Sequence, residues 1–297
     1  MKKRYLALVI AASALLFTGC SIKRIVINST ALFMDDVVDE FMAEPDAAFA
    51  EEAGPANLKL LDGLIKGSNY ENDELLIKGC KLYGMYALAF FEDATTDKKQ
   101  DRENLARAAA FYKRAAGYGM VVLKRNNDFK SVADAPYDDF VKVMPAFNKS
   151  DTEALFWTAF AWGSYINLNR NSASDVADLP KVKAMIDRVV EIDPDYFYGV
   201  PNLFLIVYYS MPGMFGGDAS KAKAAYDASE KVSGGKFIMN DFYMAKFYAV
   251  QTQDKALFEK LLGNIDSAAP DIIPEELFTS VARKKAAVLR AKEEDLF

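Results

Sequence analysis

Histidine is absent from all 297 residues. That single absence removes Ser-His-Asp and Cys-His catalysis, together with every His-ligated metal site. A catalyst built on this chain would have to work through carboxylates, lysines or tyrosines. Cysteine is scarce as well, with two in the whole sequence, Cys20 and Cys80. Positive charge is in deficit: 36 Lys and Arg against 42 Asp and Glu leave a formal charge of −6. An acidic body carries no electrostatic footprint for nucleic acid. No phosphate-cradling loop is present, because Gly216-Gly217 is not followed by the lysine and serine of that motif. The carboxylate pairs Asp35-Asp36, Asp138-Asp139 and Asp193-Asp195 fall at helix ends or in loops. Nothing in the pattern sets two acids across a cleft as glycoside hydrolysis requires. The expectation is therefore a protein that is not an enzyme and has no cofactor and no metal.

What is present starts at the N-terminus. Lys2, Lys3 and Arg4 precede an apolar segment from Tyr5 to Phe17, too short for a comfortable membrane span, and the small residues Thr18 and Gly19 lead to Cys20. This is the pattern of a secretory signal, and Leu16-Phe17-Thr18-Gly19-Cys20 resembles the bacterial lipobox, with Phe17 where Leu, Val or Ala is usual. The resemblance implies cleavage after residue 19, lipidation of Cys20 and a tether over 20–29. The alternative is a cleaved signal followed by an ordinary cysteine. Several acyl chains together give stable anchoring where one is marginal. Loss of Lys2, Lys3 and Arg4 takes the charge from −6 to −9. With Cys20 acylated, Cys80 has no partner for a disulfide, so an exported chain must rely on its core. Cys80 lies in an apolar helical run and reads as a small buried hydrophobe.

Strand alternation is almost missing. Apolar residues recur at three- and four-residue spacing, separated by short loops rich in Gly, Pro, Asn and Asp, which predicts an all-α chain. The expected helices run 30–43, 55–67, 71–93, 101–124, 151–169, 175–192, 199–211, 218–232, 239–252, 254–268 and 274–294. The stretch 125–149 is the least regular, with one short helix over 136–144. Within the helices the four-three-five spacing of tetratricopeptide (TPR) helix B recurs at Ala108-Tyr112-Ala115-Met120, Val182-Ile186-Val189-Pro194, Ala222-Tyr226-Ser229-Gly234 and Phe258-Leu262-Ile265-Pro270. Any amphipathic helix produces spacings of four and three, but four copies at similar intervals point to a degenerate TPR-like array of helix pairs, an α-solenoid over 30–297. Such pairs bury their apolar faces on one another and leave a concave surface. The last helix, rich in charge from Arg283 to Asp295, reads as a solvated terminal cap.

Two segments stand out as carriers of function. Ala154 to Asn169 is uncharged over sixteen residues and aromatic-rich, the mark of a buried central helix. Tyr196 to Gly217 is uncharged over 22, but Pro201, Pro212 and its glycines interrupt any membrane span. From these segments Trp157, Phe160, Tyr208, Met211, Met214 and Phe215 are the candidate lining of an apolar ligand cleft. Core packing for the first segment, and capping or loop closure for the second, account for the same residues.

Along the mature chain, in order, stand Pro55-Ala56-Asn57-Leu58, Tyr83-Gly84-Met85-Tyr86, Tyr112-Lys113-Arg114-Ala115, Leu155-Phe156-Trp157-Thr158-Ala159-Phe160-Ala161-Trp162, Asp193-Pro194-Asp195-Tyr196, Phe215-Gly216-Gly217-Asp218 and Ala282-Arg283-Lys284-Lys285-Ala286. This series resembles the T-component (TatT-like) lipoproteins associated with tripartite ATP-independent periplasmic (TRAP) transporters. One departure is Phe278-Thr279-Ser280, where the family often places Asn after Leu. The resemblance implies a periplasmic helical-repeat lipoprotein, a homotrimer among its assemblies, with clefts or a pore. Its implied partner is the solute-binding P component, and its implied ligand is a small apolar molecule or an organic acid. Ser21 after the lipidated cysteine favours the outer membrane as the anchor site. The competing readings are a general TPR-like scaffold lipoprotein in envelope assembly and an enzyme acting through carboxylates.

Overall fold

The computed structural model describes residues 26, 27, 29, 30 and 33–297. Residues 1–19 and Cys20, with most of the expected tether over 20–29, lie outside the described residues. Among the described residues every regular element is helical. The principal helices are α1 (Met34–Ala43), α2 (Ala47–Gly67), α3 (Asp73–Phe90), α4 (Lys98–Leu123), α5 (Thr152–Leu168), α6 (Leu179–Ile192), α7 (Tyr196–Tyr209) and α8 (Ala219–Ser233). Then come α9, in the pieces Met239–Tyr243, Met244–Ala249 and Val250–Thr252, α10 (Lys255–Ser267) and α11 (Glu276–Arg290). The irregular stretch between α4 and α5 holds only short helices and 3₁₀ turns.

Side-chain caps set many of the starts. Asn72 accepts from the Leu75 amide, Asp97 from Lys99 and Gln100, Asp218 from Ser220 and Lys221, and Asp254 from Leu257. Each satisfies amides that the helix itself cannot pair, and loss of such a cap costs about 1 kcal/mol. Asp46 does the same for Ala48 and Phe49, so α2 begins well before Pro55, where the sequence pattern places its start. Pro55 sits inside that helix with no N–H for the Glu51 carbonyl. The Tyr86 hydroxyl of α3 donates to that carbonyl instead, at 2.8 Å.

Neighbours in sequence pack as neighbours in space: α3 against α2 and α4, α4 against α5, α5 against α6, α7 against α8, and α9 against α10. Helix α5 also touches α3 and α7, and its residues are buried almost all round, as its lack of charge predicts. Cys80 faces α4 and α5 from α3, and burial pushes its thiol up to about 12, so it is inert at neutral pH.

Helix α11 departs from the solvated cap expected of its charges. It returns to pack on α1, α2 and α3 and buries Leu277, Val281, Ala282, Ala286, Leu289 and Lys285. Lys285 is 1% exposed, and its ammonium donates to the Glu92 carbonyl just beyond α3. Beside it Lys246 pairs with Asp93 at 2.6 Å, and the Tyr112 hydroxyl donates to the Glu92 carboxylate. Lys246 lies in the π-helical piece of α9, and Asp93 has a left-handed backbone (φ 51°). Burial alone would raise Asp93, but Lys246 and Lys285 outweigh it and hold this carboxyl below its usual range. Burial raises Glu92, and burial depresses Lys285 to about 8. Lys246 keeps its charge because it meets a carboxylate directly, whereas Lys285 meets a carbonyl and shares its surroundings with Lys246.

Between pH 8 and the ordinary lysine value of 10.5, the unfolded chain holds a proton at residue 285 that the folded chain has released. Stability therefore gains from rising pH across that window, by up to about 2 kcal/mol from this group. Urea titrations at about pH 8 and about pH 10 should show that gain in the native protein and its loss in Lys285→Met. Equal changes in the two proteins would show that Lys285 is not held in its depressed state.

Candidate functional site: an apolar cleft between α5 and α7

The cleft begins with a close approach of helices. A Cβ at Gly163 of α5 would lie 2.5 Å from the Phe204 ring of α7 and 3.0 Å from Val182 of α6. Only glycine allows the three helices to meet there. Beside that contact lies a recess with a cavity volume of about 80 Å³, open to solvent at its mouth.

One wall is a single helical face. Phe204, Val207, Tyr208 and Met211 follow one another at intervals of three, one and three and all line the recess. Ile166 from α5 and Leu179 at the start of α6 form the opposite side. The lining also includes two polar residues, the half-buried Asn167 and the exposed Arg170. The Arg170 Nε donates to the Asn167 amide oxygen at 3.0 Å, and the second guanidinium donor on that oxygen comes from the same side chain. Among the described residues no carboxylate pairs with Arg170, and desolvation lowers it from its ordinary value.

Two backbone features aim this wall. At the head of α7, Phe197, Tyr198 and Gly199 adopt left-handed angles (φ 40°, 59° and 75°), so the helix restarts at Val200-Pro201 in a new direction. Left-handed backbone at two aromatic residues costs on the order of 1–3 kcal/mol each. Aromatic packing offsets it: Tyr198 stacks on Phe237 at 5.5 Å, and Phe197 packs against Phe237 and Phe278. At the far end, the loop after α7 folds back so that Phe215 completes the recess. The Asp218 amide closes this loop on the Tyr209 carbonyl at 2.8 Å. Gly216 has φ 90°, and a Cβ at Gly217 would stand 1.5 Å from the Met211 carbonyl oxygen.

Of the six candidates from the sequence, the structure brings Tyr208, Met211 and Phe215 together at this recess. Met214 sits at the tip of the loop, 85% exposed. Trp157 and Phe160 lie in the interior instead: Trp157 donates to the Tyr196 hydroxyl at 2.9 Å, and Phe160 packs edge-on to Tyr112. Sequence reasoning missed Phe204 and Val207, although their spacing from Tyr208 and Met211 is that of one helix face. It also missed Ile166, Leu179 and Arg170, for which proximity in space is the only signal. Shallower apolar grooves run beside α1, one of them between Phe41, Met85 and Phe278.

Among the described residues no cluster of three or more His, Cys, Asp or Glu side chains could hold a metal ion, and no helix is long and apolar enough to cross a membrane. The family described as TRAP transporter T-component matches residues 43–297, almost the whole of the described chain. The chain belongs to the TRAP transporter T-component family. As a T-component it is an accessory part of a TRAP transporter. It is similar to an uncharacterized protein of Treponema pallidum (strain Nichols), 24% identical over 309 aligned positions that cover 96% of this chain and 95% of the relative.

In this T-component the geometry at Gly217 leaves no space for a methyl group. Gly217→Ala should lower stability by about 1–3 kcal/mol, read as a drop in melting temperature. An unchanged melting temperature would show that the loop over the cleft adapts freely.

Proposed function

We propose that this T-component is a periplasmic protein, anchored through lipid on Cys20, that binds the solute-binding P component of its transporter and holds a small ligand in the α5–α7 cleft. The observation that carries the ligand part is the cleft itself: a preformed recess with an apolar wall. An apolar group buried there gains roughly 25 cal/mol per Å² removed from water. The partner part rests on membership of the family and on the exposed Met214 and Phe215 beside the mouth, apolar side chains that are free for contact.

We also read the helix pairs as degenerate TPR-like units. In support, the first three positions of each unit are buried at Ala108, Tyr112, Ala115, Val182, Ile186, Val189, Ala222, Ser229, Phe258, Leu262 and Ile265, between 0 and 1% exposed, and Tyr226 is half-buried. That is what a repeat built on the inner face of each second helix demands.

Crosslinking in the native envelope should recover the periplasmic solute-binding protein encoded with the transporter. Recovery of outer-membrane assembly factors in its place would support the general scaffold reading. For the cleft, the neutral fluorophore N-phenyl-1-naphthylamine should bind the delipidated protein and lose at least about tenfold in affinity in Val207→Trp, which fills the recess. Equal binding by both proteins would place the ligand elsewhere.

A further inference from the structure

We propose that the exposed face of α2 pairs antiparallel with the same face of a second copy of this chain, about a two-fold axis between Ala53 and Ala56. The inference is independent of the α5–α7 cleft and of the P component. It also differs from the trimer implied by the family resemblance, because a face that pairs with itself closes a dimer and not a ring of three.

Helix α2 has two apolar faces, and one of them is covered. Ala50, Gly54, Leu58, Leu61 and Ile65 are buried against the rest of the protein. On the outer side Phe49, Ala53, Ala56, Leu60 and Gly63 follow at intervals of four, three, four and three, so they form one stripe along the helix. That spacing is a heptad seam, the pattern by which two helices pair. Phe49 and Leu60 are each 61% exposed. Among the described residues nothing lies within 4 Å of the place a Gly63 Cβ would occupy. A lone exposed apolar residue is ordinary, but two large ones on one seam mark a contact surface.

The pattern matches its own copy. Laid antiparallel on a second α2, the seam sets Phe49 against Leu60 of the other copy and Ala53 against Ala56. Small residues at the centre let the two backbones approach, and the large ones pack at either end. Charge points the same way. Glu52 and Lys59 are exposed and seven residues apart, so they stand on the same edge of the seam. In an antiparallel pair like edges meet, which sets Glu52 of each copy beside Lys59 of the other. Lys59 also reaches Asp62 of its own helix at 2.9 Å, but its side chain is 71% exposed and keeps donors. In a parallel pair this edge would face Ala50 and Asn57, which carry no charge. Exposed ion pairs of this kind fix orientation more than affinity. A bilayer asks for no such match, and the exposed Asp36, Asp39 and Glu40 of the neighbouring α1 disfavour it. One helix face is small for a permanent interface, so the pairing is reversible.

Disulfide trapping in the native envelope reads the pairing directly, because Cys80 is buried and does not compete. Full-length Phe49→Cys and Leu60→Cys, expressed together with tags of different size, should form the mixed disulfide between positions 49 and 60. Neither like pair should form, since position 49 of the two copies would lie about 16 Å apart along the helices, beyond disulfide reach. Dominant like pairs would show a parallel arrangement and overturn the proposal. So would the absence of any disulfide, and protection of Leu60→Cys from a membrane-impermeant maleimide would then assign the face to the bilayer. In sedimentation equilibrium of the delipidated protein, Glu52→Lys and Lys59→Glu should each weaken the dimer about tenfold. The double exchange should restore it, which a loss of fold would not allow. Unchanged dimerisation in both single variants, or no recovery in the double one, would contradict the antiparallel register.

Discussion

A missing side chain governs the geometry on which the proposed site depends. At Gly163 of α5 the side chains of Phe204 from α7 and Val182 from α6 occupy the space a Cβ would need. The apolar recess lies beside that contact, lined by residues of α5, α6, α7 and the loop after it. The left-handed turn at Phe197, Tyr198 and Gly199 then fixes which face of α7 looks into it.

A second constraint holds the two ends of the chain together. Lys285 reaches the Glu92 carbonyl while Lys246 holds Asp93, so a short polar segment after α3 is gripped by α9 and α11 at once. Buried charge of this kind adds little to stability, since desolvation consumes most of the Coulombic gain. Its effect is to make the return of α11 specific, because any other docking of that helix would bury Lys285 without an acceptor. As a result the last long helix, α11, packs back on α1, α2 and α3.

Much of this was legible in the residues. The helical periods, the caps at Asn72, Asp218 and Asp254, and the buried nature of the uncharged α5 follow from pattern and cap chemistry. The start of α2 was missed because Pro55 is a strong local signal, while the competing cap at Asp46 is weaker in sequence than in structure. The burial of α11 was obscured by counting its charges. Leu277, Val281 and Lys285 stand on one stripe, and a lysine in an apolar stripe is a candidate for a buried ammonium. In the cleft, Tyr208, Met211 and Phe215 were found from the interrupted apolar run. Trp157 and Phe160 went to the core because the first half of α5 is buried almost all round, whereas Ile166 and Asn167 nearer its end line the recess. Arg170 carried no local signal, since only the fold brings it to the recess.

The central claim is that the ligand sits between α5 and α7, and covalent mapping of an aliphatic photoprobe tests it most directly. A neutral diazirine-bearing alkane, irradiated with the protein and located by peptide mass spectrometry, should label the segments containing Phe204 to Met211 and Ile166. Labelling confined to the grooves beside α1, around Phe41 and Met85, would contradict the account.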